Sequence, residues 1–194
     1  MIEFEPQEQV SAEFALALAS LSGLEVRPEI EVTEIAAPAG LAAHAIAFNC
    51  DVKPADSHAK LDLGTGRLVL LWDEEPQESW GSRFRIIIFA KSPLETDIGS
   101  EDESTGISWL WLKDALEVLG ASYTAEAGTT TRVISSGFGA LANQSDHAEL
   151  EMRASWSPSD TNIGPHILAW QNLICMMSGY SLHGEEVPSI DRRG

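Results

Sequence analysis

Ala148-Glu149-Leu150-Glu151-Met152-Arg153-Ala154-Ser155-Trp156 alternates apolar and polar side chains without a break. Successive side chains of a strand point to opposite faces, so this run predicts a strand with Leu150, Met152, Ala154 and Trp156 against a core and Glu149, Glu151, Arg153 and Ser155 in water. A one-sided wet face is the mark of an antiparallel sheet, because parallel sheets are covered on both faces.

Five further segments share the strand signature. Val26, Pro28, Ile30 and Val32 alternate with charged or hydroxylated residues, and Pro28 places that segment at an edge or a strand start. Ala43 to Val52 is apolar on both parities, which suits a strand covered on both sides. Leu68 to Trp72 follows a turn at Leu63-Gly64-Thr65-Gly66, and Phe84 to Phe89 follows a polar connection from Asp73 to Gly81. Thr129 to Ser136 completes the set.

Three segments repeat at helical spacing instead. Val10, Phe14, Ala17, Leu18 and Leu21 predict a helix from Glu8 to Leu21, ended by Gly23. Trp109, Leu112, Leu116 and Leu119 predict a second after Ser108, read as its cap, with Gly120 as its stop. Ile163, Ile167, Trp170, Ile174 and Met177 predict a third, ending at Gly179. The connections among the first four strands are too short for parallel crossovers. The expected fold is therefore α+β: a mostly antiparallel sheet of about six strands with three main helices packed against it. No repeat, Pro-rich linker or low-complexity block divides the chain, so residues 1–194 are read as a single domain with an ordered core of about 8–180 and loose termini.

Composition narrows the function classes. With 44% hydrophobic residues the chain can build a sizeable core. No apolar run reaches the about 18 residues needed to span a bilayer, and the N-terminus lacks the basic and apolar regions of a secretory signal, so no membrane association and a cytoplasmic location are expected. A formal charge of −18 repels a phosphate backbone, which disfavours direct nucleic-acid binding. Cys50 and Cys175 stand in apolar surroundings and are read as buried thiols.

Tests for catalytic and ligand motifs leave little. No two of His44, His58, His147, His166 and His183 stand four apart, and none pairs with a cysteine at a zinc-like interval, so no metal and no cofactor are expected. Asp56-Ser57-His58 with Asp62 is the only mixed oxygen and nitrogen cluster, and a polar turn accounts for it. Gly64-Thr65-Gly66 lacks the third glycine and the helix of a pyrophosphate loop, and Gly137-Phe138-Gly139 lacks the lysine of a P-loop. No Gly-x-Ser-x-Gly elbow occurs, and Ser135-Ser136 has no nearby histidine base. No catalytic residue is assigned.

Two features stand out from this background. Arg27, Arg67, Arg83, Arg85, Arg132 and Arg153 all fall in or beside strands. Cross-strand pairing with Glu29, Glu31, Glu149 and Glu151 is one reading. The other is an anion site in which Arg83, Arg85, Arg132 and Arg153 grip a carboxylate or phosphate. The second feature is the helix after Ser108, where Trp111 lies roughly 160° from Trp109 at about 100° per residue. With Ile107 and Leu110, Trp111 would form a second apolar arc and a candidate interface for a protein partner or a second copy.

The runs Thr129-Thr130-Thr131-Arg132-Val133-Ile134-Ser135-Ser136-Gly137-Phe138-Gly139-Ala140-Leu141 and Ala148 to Trp156 resemble the actinobacterial domain-of-unknown-function family numbered three thousand. Arg27-Pro28-Glu29, Arg67 to Leu71, Trp80-Gly81-Ser82-Arg83-Phe84-Arg85, Ser108-Trp109-Leu110 and Ala169 to Cys175 carry the likeness over roughly Val10 to Pro188. Around Trp72 and Pro76 the chain departs from the family's His-Asp-Pro and Gly-Gln wording. The resemblance implies an actinobacterial cytoplasmic protein and supplies no activity, cofactor or catalytic residue. It also implies a gene neighbour similar to a ribonuclease-D-type exonuclease, hence an RNA-metabolism link through a protein partner. The reading that results is a non-enzymatic protein-interaction or regulatory module, with a small-anion binding protein or enzyme as the alternative.

Overall fold

The computed structural model describes residues 10–53, 63–94, 103–143 and 146–181, with the backbone alone at 103–105. Six strands form one sheet: β1 (Ile30–Ile35), β2 (His44–Val52), β3 (Thr65–Gln77), β4 (Ser82–Leu94), β5 (Tyr123–Ser135) and β6 (His147–Pro158). Their spatial order is β1-β2-β3-β4-β6-β5, and every neighbouring pair is antiparallel. The first four make a meander. The chain then steps out to the edge with β5 and returns with β6 to fill the gap beside β4. Helices α1 (Ala12–Ala19), α2 (Glu103–Val118) and α3 (Gly164–Met177) complete the α+β architecture.

The alternation in Ala148 to Trp156 orients the sheet. Leu150, Met152, Ala154 and Trp156 are buried and lie in register with Ser92, Ala90, Ile88 and Ile86 of β4. On β3, Leu68, Leu70 and Trp72 continue the same face, and on β2 Ile46, Phe48, Cys50 and Val52 do so. All three helices lie on this side.

Helix α3 is the centre of the packing. The stripe Ile163, Ile167, Trp170, Ile174 and Met177 is buried, and so are His166, Gln171, Leu173 and Cys175 on its other sides. A helix buried nearly all round must be walled in by more than a sheet. Helix α2 packs along it, while the end of α1 meets its start, where Ser20 Oγ accepts the Ile163 N–H at 2.9 Å. Towards β3 it sits close: a Cβ built at Gly66 would lie 2.3 Å from Ile174 Cδ1 and 3.1 Å from Trp170 Nε1. Helix α1 is fixed by a stack of Phe14, His44 and Trp72 with ring centroids 5.3 and 5.4 Å apart, and Glu13 accepts the Trp72 indole N–H at 3.0 Å.

Several expectations are corrected here. Gly66 is not a turn residue but part of β3, where its missing side chain admits α3. Ser108 is not a cap: α2 starts at Glu103, and Ser108 is fully buried with its hydroxyl 3.3 Å from that of Thr130. The polar stretch from Asp73 to Gly81 is mostly strand, since β3 runs to Gln77 and the turn is confined to Glu78–Gly81. Strand β5 begins at Tyr123, six residues before the expected start. The Asp56, His58 and Asp62 cluster and the tail after Ser181 lie outside the described residues.

Replacing Gly66 with valine forces Ile174 and Trp170 off the sheet. The expected cost is about 2–3 kcal/mol, as for other overpacked cores. Urea unfolding of Gly66→Val measures it, and an unchanged midpoint would refute the close-packing account.

Candidate functional site

The other side of the sheet carries no helix among the described residues. Across its centre the register lines up Asn49, Arg67, Phe89, Arg153 and Thr129, one from each of β2, β3, β4, β6 and β5. The adjacent row reads Ala47, Val69, Ile87, Ser155 and Ala127. Two arginine positions therefore flank that of an aromatic residue, their strands two spacings or roughly 10 Å apart, beside a band of Val69 and Ile87.

The arginines play different parts. Arg153 lies with its guanidinium carbon 5.2 Å from the Phe89 ring centroid, a cation–π arrangement, and pairs with Glu151 at 3.1 Å. Arg67 is exposed and makes no ion pair with the described residues. Arg85 is only 8% exposed, and burial lowers its pKa. Its Nη1 donates to Ala125 O at 2.8 Å and Ser157 Oγ at 3.1 Å, and its Nη2 donates to Ser155 Oγ at 2.6 Å. Ser157 Oγ in turn donates to Trp80 O at 2.8 Å. Arg85 thus ties a β5 bulge, where Ala125 holds a left-handed φ of 53°, to the β3–β4 turn through neutral oxygens.

Arg83 reaches α1 instead, pairing with Glu13 at 3.2 Å. Arg132 faces the helix side of the sheet, opposite Leu150. The fold therefore brings Arg85 and Arg153 to one face, leads Arg83 away to α1, and sends Arg132 to the other side. Arg67, outside the expected anion set, is the residue that joins Arg153. Its signal was parity: Arg67 and Phe89 stand on the positions of their strands opposite to Leu68 and Ile88. The expected cross-strand ladder is replaced in part by pairs two residues apart in sequence, Arg27 with Glu29 just before β1 and Arg153 with Glu151 within β6, while Lys91 and Glu149 pair between strands at 2.7 Å. The Arg27 guanidinium also holds the Glu29 carboxyl below the usual carboxylate range.

On α2 the second apolar arc is split. Ile107 and Leu110 are exposed, as is Val118, but Trp111 is half-buried against the core. Its position follows from Leu112, Ala115 and Leu116, which turn towards the sheet and α3 and bring Trp111 to the margin of the covered side.

Elsewhere the chemistry is enclosed. His166 Nδ1 accepts the Trp156 indole N–H at 3.0 Å, which leaves the proton on Nε2, and burial pushes the imidazole pKa down to about 4. Nε2 of His166, Nε1 of Trp170 and Nε2 of Gln171 meet no acceptor among the described residues. Cys50 and Cys175 are free and fully buried; burial raises both thiols, Cys175 to about 11. A cavity of about 310 Å³ at the end of the sheet is lined by Asp51, Thr65, Lys91 and Glu149, with Gly64 and Pro93. Its charges are already paired, Lys91 with Glu149 and Asp51 with Thr65 Oγ1 at 2.8 Å. Among the described residues no three His, Cys, Asp or Glu side chains gather as a metal site, and no helix is long and apolar enough to cross a membrane.

The model of a family described as protein of unknown function (DUF3000) matches residues 10–186. The chain belongs to that family. The match covers the whole sheet, all three helices and the open-face row with Arg67 and Arg153. No curated protein and no solved structure matches the chain. Within this DUF3000 chain the distinctive surface is thus the row of Arg67, Phe89 and Arg153.

Two predictions concern the enclosed groups. His166 stays neutral in the fold down to about pH 4, whereas an unfolded imidazole takes its proton near 6.5. Its share of stability is complete above about pH 6.5 and drains as pH falls towards 4. Between pH 7 and 5 the native protein should lose about 2 kcal/mol more than His166→Phe, read by urea titration. Parallel curves for the two proteins would remove His166 from the acid response. Both thiols should resist an alkylating reagent at neutral pH and react on unfolding; rapid native labelling of either would overturn their burial.

Proposed function

We propose that this protein is a non-enzymatic interaction module whose partner docks on the open face of the sheet. The observation that carries the reading is the row in which Arg67 and Arg153 flank Phe89 beside Val69 and Ile87. Arginine and aromatic side chains dominate the energetics of protein interfaces, because one surface offers both apolar area and directed charged donors. Arginines on strands about 10 Å apart suit a protein segment that lays an apolar side chain near Phe89 and presents carboxylates to either side. Arg67 has no ion pair to give up among the described residues, and the Arg153 end of the Arg153–Glu151 pair is exposed, so exchanging Glu151 for a partner's carboxylate costs little.

The cytoplasm is the compartment in which the two free thiols would persist. A partner tied to RNA metabolism, as the family resemblance suggests, would meet this face through protein contacts, since a charge of −18 opposes direct RNA binding. A small-anion site remains the second reading, favoured by Arg67 and Arg153 themselves.

Resonances of the open face separate the two. An acidic peptide alternating glutamate and leucine is expected to shift those of Arg67, Phe89 and Arg153, and Arg153→Ala should weaken that binding about tenfold, or about 1.4 kcal/mol. Saturation by phosphate or citrate with no added affinity for the peptide would favour the small-anion reading. Silence of these resonances towards all three probes would refute both.

A further inference from the structure

The two edges of the sheet differ in kind. Strand β1 is six residues long and carries Glu31 and Glu34, the short, charged form that discourages further pairing. Strand β5 runs for 13 residues, Tyr123–Ser135, with no proline and no lysine, and Thr129-Thr130-Thr131 at its middle. Its outward peptide groups make no backbone hydrogen bond to another described element. Thr124 to Thr129, Thr131 and Ile134 are exposed, and just beyond the strand Phe138 is 81% exposed, with Leu141 exposed beside it.

We propose that β5 pairs antiparallel with β5 of a second copy of this chain, about a two-fold axis through Thr129. In a symmetric antiparallel pair one residue must stand opposite itself, and each candidate centre fixes every other partner. A centre at Thr129 counts Tyr123 against Ser135, so neither strand overhangs the other. It also sets Glu126 opposite Arg132 at both ends. Arg132 points to the helix side of the sheet, and Glu126 does too, because Lys113 of α2 reaches it at 3.4 Å. The opposite charges therefore meet on one face, twice. A centre at Thr131 instead places Arg132 diagonal to its own copy, a repulsive arrangement.

The bulge between Thr124 and Ala127 fits the same register. It bends each strand at Glu126, so regular pairing covers Ala127 to Thr131 and closes on the two ion pairs. Beyond Ser135 each chain runs past Tyr123 of its neighbour, which offers Phe138 an apolar cover it lacks alone. Leu110, one turn before Lys113 on α2, stands on the same side of that helix and flanks the junction. The edge is separate from the open face, so a partner on Arg67 and Arg153 and a second copy on β5 can bind together.

Sedimentation of the full chain should show a dimer. Arg132→Glu and Glu126→Arg should each raise its dissociation constant about tenfold or more, since two pairs change from attraction to repulsion, and the double exchange should restore it. Thr129→Cys, on an exposed position, should cross-link to its own copy under mild oxidation, while Thr131→Cys should not. A chain monomeric up to about 100 μM, well above the micromolar range of a specific dimer, would overturn the proposal. So would a dimer that survives both single reversals as folded proteins, or one that cross-links through Thr131→Cys and not through Thr129→Cys.

Discussion

The close approach of α3 to β3 at Gly66 sets how near the central helix lies to the covered face. A strand residue with any side chain there would lift Ile174 and Trp170, and α3 could no longer lie against β2, β3 and β4 at once. Once α3 is seated, α2 has a groove between it and β5, where Ser108 touches Thr130 and Trp109 covers Gly128. The α1 end then meets the start of α3 through Ser20. The cost is polar: His166, Trp170 and Gln171 each bring a donor inside with no acceptor among the described residues. Such groups are expensive in an apolar core, and the tight fit of α3 must offset them.

What the sheet does on its far side follows from that asymmetry. With three helices on one face, the other is left to side chains that tolerate water, and arginine does so while its stem covers apolar neighbours. Arg153 lying on Phe89 is that behaviour in one contact. Arg85 shows the opposite use of the same residue, buried at the end of the sheet and clamping two loops through hydroxyls and carbonyls. A chain with thirty acids thus places most of its arginines on the sheet, some as surface and some as fastening.

Much of this was legible in the order of residues. Period two in Ala148 to Trp156 and the stripe from Ile163 to Met177 specified a one-sided antiparallel sheet and its central helix, because burial leaves those periods no freedom. Where one signal served two purposes, reading failed. Gly64-Thr65-Gly66 looks like a turn, yet Gly66 is small to admit a helix from some hundred residues away. Ser108 looks like a cap, yet it is a buried hydroxyl matched to Thr130 across a tertiary contact. The early part of β5, Ala125-Glu126-Ala127-Gly128, has poor strand propensity and is held by pairing with β6. The faces of the arginines were implicit in parity, but which of them would meet depended on strand order, and strand order rests on β6 inserting between β4 and β5.

That insertion has a bearing on how the chain is made. A ribosome delivers the meander β1–β4 first, and residues 95–146 must follow before β6 can cover the exposed edge of β4. During that interval the nascent protein shows an unpaired strand containing Ile86, Ile87 and Ile88, with no α3 to shield its apolar face. Long-range pairing of this kind is slow and exposes aggregation-prone edges. The last quarter of the polypeptide, which carries both β6 and α3, is therefore what turns a sticky intermediate into a finished molecule, and synthesis that stalls before it would leave a substrate for chaperones and proteases.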